Sequence, residues 1–368
     1  MSEEAKVSKV EVEKAGSRQL RGTIAEELDP STECFSGSNT GFLKHHGTYQ
    51  QDDRDERGGT SEDGQKKGKS YMMMVRSRIP GGQLTADDLL AELDMCDEFG
   101  NGTLRITTRQ GLQLHGVLKN DLKPTIRAIN EKTTLTTLGA CGDVNRNVMC
   151  CPAPIRGNAV HDQMQALSQK IAQHFRPRTT AYQEIWLQDS EGGKEKVAEF
   201  TPVEEPIYGE CYLPRKFKIG IALPEDNCVD ILTYDLGLLA IVENDEIVGY
   251  NVFVGGGQGL TPAAKKTYAA VGLKLTFVPA DQAIPVAEAV VRCWSDHGNR
   301  LDRKQARIKY LVREWGLEQF KAKVEEYYGS PLAEPRSEDV HDVDDHMGWH
   351  EQASTSRMVV SKTTGICV

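Results

Sequence analysis

Apolar positions are sparse over residues 1–70 and dense from Tyr71 onward. The stretch HGTYQQDDRDERGGTSEDGQKKGKS offers almost no core-forming side chain, so 1–70 reads as an extended arm or linker. Burial there would not offset the entropy of ordering it. YMMMVRSRI reads as a strand and IPGGQL as a turn. Thr85 with Asp88 has capping-box spacing, and Leu89, Leu93, Cys96 and Phe99 follow at helical intervals until Gly100. TLRIT and LQLHGVL read as strands around the tight TRQG, and DLKPTIRAIN as a short helix with Pro124 in its first turn. The order β-α-β-β-α is a split-βαβ unit spanning 71–138.

A second region runs from about Cys141 to Gly329. Val160, Met164, Leu167, Ile171 and Phe175 fall on one face of a long amphipathic helix. KFKIGIAL, LGLLAIVEN and EIVGYNVFVGG read as consecutive strands, and helices are predicted at about 284–297, 303–314 and 317–328. Strands with interspersed helices give an α/β or α+β domain over 139–329. Pro331 and Pro335 mark a linker, and the tail from Glu338 is acidic and then rich in Ser and Thr.

The chain has 368 residues, enough for two to three domains, and a formal charge of −10. That charge argues against a general nucleic-acid or membrane-surface binder. No stretch has the run of apolar residues a membrane span needs, and the N-terminus lacks a signal-peptide core, so a cytoplasmic protein is expected. Nine cysteines are scattered, with only Cys150 and Cys151 adjacent. No Cys-x-x-Cys or zinc-finger spacing occurs, and no metal site is expected from spacing.

Four segments concentrate cations without compensating acids: Arg76 and Arg78; Arg105 and Arg109 with Gln113 and His115; Arg146 between Asn145 and Asn147; and Arg215, Lys216 and Lys218. Strand alternation puts Arg76 with Arg78, Gln113 with His115, and Lys216 with Lys218 on shared faces. One such segment is ordinarily a solvated face. Four of them in an acidic chain point to a pocket for a small or multiply charged anion. VGGGQGL (254–260) lacks the dinucleotide fingerprint and reads either as a tight loop or as backbone approaching a flat ligand. GNRLDRKQARIKY (298–310) reads by default as a solvated basic helix start.

Across HGTYQQDDRD, RSRIPGG, LRITTRQGLQLHGVLK, LGACGDVNRNV, YLPRKFKIG, VGGGQG, GNRLDRKQARIKY and DHMGWHEQ the chain resembles the sulfite reductase hemoprotein family, within the siroheme-dependent nitrite and sulfite reductases. These strings span roughly residues 20–352. LQLHGVLK and RNVMC look closer to sulfite than to nitrite reductases. The resemblance implies an α+β chain: a ferredoxin-like half domain (71–138), a siroheme- and sulfite-binding α/β domain (139–329), and over 330–368 a linker with the start of a second ferredoxin-like repeat and an aberrant tail. It implies an oxidoreductase of sulfur assimilation that reduces sulfite to sulfide by six electrons, with siroheme joined through cysteine to a [4Fe–4S] cluster. By motif, Arg76, Arg146, Lys216 and Lys218 match the sulfite-holding ring. Arg105, Arg109, Gln113, His115, Asn145 and Arg215 match positions around the macrocycle and its carboxylates. Electrons would come from a separate ferredoxin or flavoprotein.

The family's cluster ligands, a Cys-x5-Cys and a later Cys-x3-Cys, have no counterpart among cysteines 34, 96, 141, 150, 151, 211, 228, 293 and 367. A truncated chain, inactive without the missing half, is therefore expected. The alternatives are a ferredoxin–nitrite reductase-like enzyme and a non-catalytic siroheme- or anion-binding remnant.

Overall fold

The computed structural model describes residues 7–59, 68–155, 157–178, 184–188, 193–199, 204–344, 346, 348–351 and 357–360. The first sheet has the order β1-β2-β4-β3, built from β1 (Thr48–Asp52), β2 (Tyr71–Arg78), β3 (Leu104–Ile106) and β4 (Gly111–Val117). All its pairings are antiparallel, and Arg76 and Arg105 both stand opposite Gln113.

The predicted N-terminal arm carries α1 (Lys9–Ala15), α2 (Ile24–Glu27), α3 (Gly37–Phe42) and the edge strand β1. Its few apolar residues are well placed: Leu20, Phe35, Phe42 and Leu43 are buried. Charge does the rest. Lys14 is buried on Glu11, donates to the Leu213 carbonyl at 2.9 Å and lies 3.6 Å from Asp143, while Arg300 also pairs with Glu11. Counting apolar residues undervalues a segment anchored by buried ion pairs.

Helices α4 (Ala86–Phe99) and α5 (Leu122–Lys132) complete the split-βαβ unit. The Thr85–Asp88 capping box is formed, with both reciprocal hydrogen bonds. The buried stripe of α4 is Asp88, Glu92, Met95 and Cys96, whereas Leu93 is exposed. Asp88 binds Thr134 and Glu92 binds Ser77, so two acids occupy positions that an apolar count assigns to Leu93.

After α6 (Ala159–His174), β5 (Glu184–Gln188) and β6 (Lys194–Glu199) form a separate hairpin. The second sheet has the order β10-β9-β8-β7, from β7 (Ile219–Ala222), β8 (Leu236–Glu243), β9 (Glu246–Val254) and β10 (Leu273–Pro279). Only β7 and β8 are parallel. The α6 face predicted from the sequence packs against this sheet together with α7 (Ala283–His297), α8 (Ile308–Trp315) and α9 (Leu317–Tyr328). Each fully buried Ile, Leu or Phe there is worth about 1.5–3 kcal/mol, and together they hold the site's scaffold rigid. β11 (Gly348–Glu351) pairs antiparallel with β12 (Arg357–Val360), so part of the tail beyond DHMGWHEQ is in a strand.

The segment 298–310 is not a solvated helix face. Arg303 forks onto Asp143 at 2.6 and 2.9 Å, and Arg307 onto fully buried Asp235 at 2.7 and 2.8 Å. Lys309 donates to the Gly257 and Gly259 carbonyls. The glycine-rich stretch is a tight loop on this evidence of contact: a Cβ on Gly256 would stand 2.3 Å from the Leu232 carbonyl oxygen.

Candidate functional site

The site forms where the loop 141–149 runs beside the chain leading into β7. Arg146 N–H donates to the Phe217 carbonyl at 3.0 Å, Phe217 N–H to Val144 at 3.1 Å, and Met149 N–H to Ile219 at 3.1 Å. This parallel ladder extends the second sheet and fixes Asn145, Arg146, Lys216 and Lys218 near one another. Asn147 ties the ladder to the first sheet. Its buried Nδ2 donates to the carbonyls of Ile79 (2.6 Å), Arg109 (3.0 Å) and Gln110 (2.9 Å).

A cavity of about 400 Å³ opens here, lined by Lys44, Tyr49, Arg146, Arg215, Lys216 and Arg303 among others. Size does not single it out, since a cleft of about 580 Å³ lies beside Tyr268, Tyr310 and Arg313. Its charge does. Lys216 lines it and Lys218 stands outside its lining; neither makes a hydrogen bond or ion pair among the described residues, and Lys218 Nζ lies 5.9 Å from the Tyr234 ring centre. Burial, with Arg146, Arg215 and Arg307 close by, pulls Lys216 down to about 8. Burial, with Arg109, Arg307 and Lys216, pulls Lys218 down to about 7. Burial likewise lowers Lys44, Arg109 and Arg215, each helped by neighbouring cations. Such a cluster is short of negative charge and complementary to an anion.

Among the described residues two acids line the cavity, Glu13 and the fully buried Asp143. Burial opposes ionisation of Asp143, yet Lys14 and the forked Arg303 hold its carboxyl well below the usual range. Asp143 N–H donates at 3.0 Å to His45 Nε2, which burial keeps neutral by lowering it to about 3.

Arg76 reaches the Tyr49 wall of this cavity, with its guanidinium 5.8 Å from the ring centre and 2.7 Å from Cys141 Sγ. Gln113 bridges it to His115: the amide oxygen accepts from Arg76 Nε at 2.8 Å, and the amide nitrogen lies 3.2 Å from His115 Nε2. Burial, then Arg105 and Arg76, lower the His115 imidazole. Arg109 stacks 4.5 Å from the Tyr234 ring centre and donates to the Ile219 carbonyl at 3.2 Å. Arg215 lies 3.8 Å from Asp143. Asn145 is fully buried, and neither atom of its side-chain amide has a hydrogen-bond partner.

Two residues depart from the sequence expectation. Arg78 does not join Arg76; it is buried and donates to the Ala172 carbonyl at the end of α6 at 3.1 Å. Arg105 is exposed on β3 and is tied to the others through its register with Gln113. Sequence reasoning missed Lys44 and Tyr49 as cavity walls, Tyr234 as the ring on which Arg109 stacks, and Asp143 and Asp235 as anchors for Arg303 and Arg307. The density of cations in 298–310 was the available signal, but its acids lie far away along the chain.

The family model described as the nitrite and sulphite reductase 4Fe-4S domain matches residues 141–332, and the ferredoxin-like half domain of nitrite/sulfite reductases matches 64–132. The chain belongs to the nitrite and sulphite reductase family. Sulfite reductase [NADPH] hemoprotein beta-components from Myxococcus xanthus and Geobacillus kaustophilus are each 46% identical to it, over 346 and 348 residues and 94% of this chain. The chain spans about 60% of the length of these curated relatives. The solved structure of the Mycobacterium tuberculosis NirA protein superposes with a TM-score of 0.71 at 23% identity, covering 96% of this chain and 60% of that one, and so shares the fold.

This reductase family depends on siroheme and a [4Fe–4S] cluster. The residues present fit the first group. A carboxylate-rich macrocycle is matched by the surplus of buried cations and by the unsatisfied Asn145 amide. They do not fit the second. A [4Fe–4S] cluster takes four thiolates, and among the described residues no ligand-capable group contains more than two cysteines. No helix is long and apolar enough to cross a membrane among the described residues.

Proposed function

We propose that this reductase chain carries the siroheme- and sulfite-holding part of an assimilatory sulfite reductase, an enzyme reducing sulfite to sulfide with six electrons. The observation that carries the proposal is the pair Lys216 and Lys218, buried among arginines and making no ion pair among the described residues, the nearby Asp235 being forked by Arg307. Arg76, Arg146, Lys216 and Lys218 would hold the anion's oxygens. Arg105, Arg109, Gln113, His115, Asn145 and Arg215 would hold the macrocycle. Bound siroheme supplies the iron that takes the substrate and passes it electrons. The chain's own part is positioning, charge compensation and protons. Arginine fixes orientation through its planar fork, while lysines titrating near neutrality can give up and regain a proton at Nζ. The relatives' printed name, an NADPH-linked beta-component, favours a separate NADPH-oxidising flavoprotein as electron donor over ferredoxin, in the cytoplasm.

The test is to load the purified chain with siroheme, follow its absorbance during a sulfite titration, and assay turnover with reduced methyl viologen. Stoichiometric siroheme, with a sulfite-dependent shift abolished in the K216M/K218M double variant, is the expected result. Turnover is not expected from this chain alone, because its described thiols do not assemble a cluster site. A chain that takes up no siroheme and does not bind sulfite would overturn the proposal.

A further inference from the structure

Four metal-ligating side chains meet at a place that does not line the cation cavity. Cys151 follows the 141–149 loop, Asp226 and Cys228 lie in the turn after β7, and His346 ends the linker that follows α9. One ligand-capable atom from each lies within 4.8 Å of all the others. His346 Nε2 is 2.8 Å from one Asp226 carboxylate oxygen, and the other oxygen accepts the Cys228 N–H at 3.1 Å.

Independent contacts hold the three segments in place. The Cys151 carbonyl is fixed by His161 and Gln165, at 3.1 and 2.6 Å. The linker docks on the turn through backbone bonds: His341 and Asp342 N–H groups donate to the Pro224 carbonyl, and Asn227 N–H donates to Asp342. The grouping is therefore set by main chain as well as by side chains.

We propose that Cys151, Asp226, Cys228 and His346 form a site for one zinc-class divalent cation, which pins the linker carrying His346 to the turn after β7. Two thiolates, an imidazole and a carboxylate make a donor set soft enough for zinc and poorly suited to magnesium or calcium. A tetrahedral zinc site has ligand–ligand edges of about 3.3–3.8 Å. Atoms at the 4.8 Å limit thus need to close by about 1.0–1.5 Å, while His346 Nε2 and the Asp226 oxygen, 2.8 Å apart, need to open by about half an ångström. Binding displaces the thiol protons, uses neutral imidazole and transfers no electrons. The two cysteines and the histidine lie far apart in sequence, so no zinc-finger spacing announces them.

This proposal does not rest on siroheme or sulfite, and its test uses neither. The full chain, stripped of metal by chelator under reducing conditions, is titrated with Co2+ and then with Zn2+. One equivalent of Co2+ is expected, with a thiolate-to-cobalt charge-transfer band and ligand-field bands of tetrahedral intensity, both displaced by Zn2+. Cys228→Ser and His346→Gln change partly exposed side chains, and each should weaken Co2+ binding by more than about tenfold, the least seen when even outer-shell partners are lost. Cys34→Ser should leave it unchanged. A cooperative thermal melt shows that each variant is folded, and Zn2+ should raise the melting temperature of the parent and not of the two ligand variants. The proposal fails if no charge-transfer band appears, if folded Cys228→Ser and His346→Gln bind as tightly as the parent, or if the metal-free chain holds a Cys151–Cys228 disulfide that persists while metal is excluded.

Discussion

Lys218 and Lys216 are read from the chain as two cations on one side of a strand, and the structure adds what burial does to them. An anion favours their charged forms, so its binding takes up protons wherever they are partly neutral. With the two depressed to about 7 and about 8, affinity should fall as pH rises through that range. Sulfate, whose charge is constant there, is the suitable probe. Calorimetric titration from pH 6 to 9 should show a loss of more than about tenfold, and K218M should flatten the lower part of the profile. The effect on folding has the opposite sign. Above a depressed lysine value the unfolded chain binds more protons, so these two lysines cost stability at low pH and cease to do so as pH rises. Asp143 behaves conversely. Its carboxyl is held below the usual range, so the stability it contributes is present above its unfolded value and lost as pH falls through the folded one. Asp143→Asn leaves Lys14 and Arg303 without their shared acid and should cost about 3–5 kcal/mol, read as a drop in the urea midpoint.

The loop after β9 shows how an element is constrained from outside its own sequence. Gly256 and Gly259 are both glycines in VGGGQGL. A Cβ on Gly256 would stand 2.3 Å from the Leu232 carbonyl oxygen and 2.5 Å from that of Tyr234, whereas one on Gly259 would meet nothing within 4 Å. Gly256→Ala should therefore destabilise by about 1–3 kcal/mol, and Gly259→Ala should be close to neutral, in parallel thermal melts. The N-terminal helices carry the same lesson. Their hydrophobic pattern is weak, and α1 is held by Lys14 and Glu11, which pair with each other and also reach Leu213, Asp143 and Arg300 on distant segments.

Among the described residues one hydrophobic core lies under the first sheet and two pack on the second, and the 141–149 loop contributes Val144 and Val148 to one of the latter and Met149 to the other, while the site draws residues from both sheets. Arg76 comes from the first sheet, while Lys216 and Lys218 come from the lead-in to the second. Asn147 Nδ2 donates to three carbonyls across this junction. Asn147→Ala would leave those carbonyls without their donor and should cost about 1–3 kcal/mol. It should also weaken sulfate binding although Asn147 holds no charge. Unfolding measured by denaturant and sulfate affinity measured by calorimetry check the two effects on one sample. Unchanged sulfate affinity in a destabilised variant would show that Asn147 supports the fold without aligning the pocket.

The split-βαβ unit, the α6 face and the main strands were legible in the sequence because period and capping are local properties, as Thr85–Asp88 and Val160–Phe175 show. The cationic segments were legible for the same reason, since alternation within a strand needs only neighbours. What tertiary structure alone decided was which charges find acids and which do not. Arg303 and Arg307 are as basic in sequence as Lys216 and Lys218, yet Asp143 and Asp235 form ion pairs with the first two and no described acid forms one with the second two. Arg78 leaves Arg76 for the end of α6 for a related reason: the Ala172 carbonyl supplies an acceptor there. The Cys151, Asp226, Cys228 and His346 grouping was invisible for the same physical cause. Charge pairing and metal ligation act through space over a few ångströms, and chain folding, not sequence spacing, sets those distances.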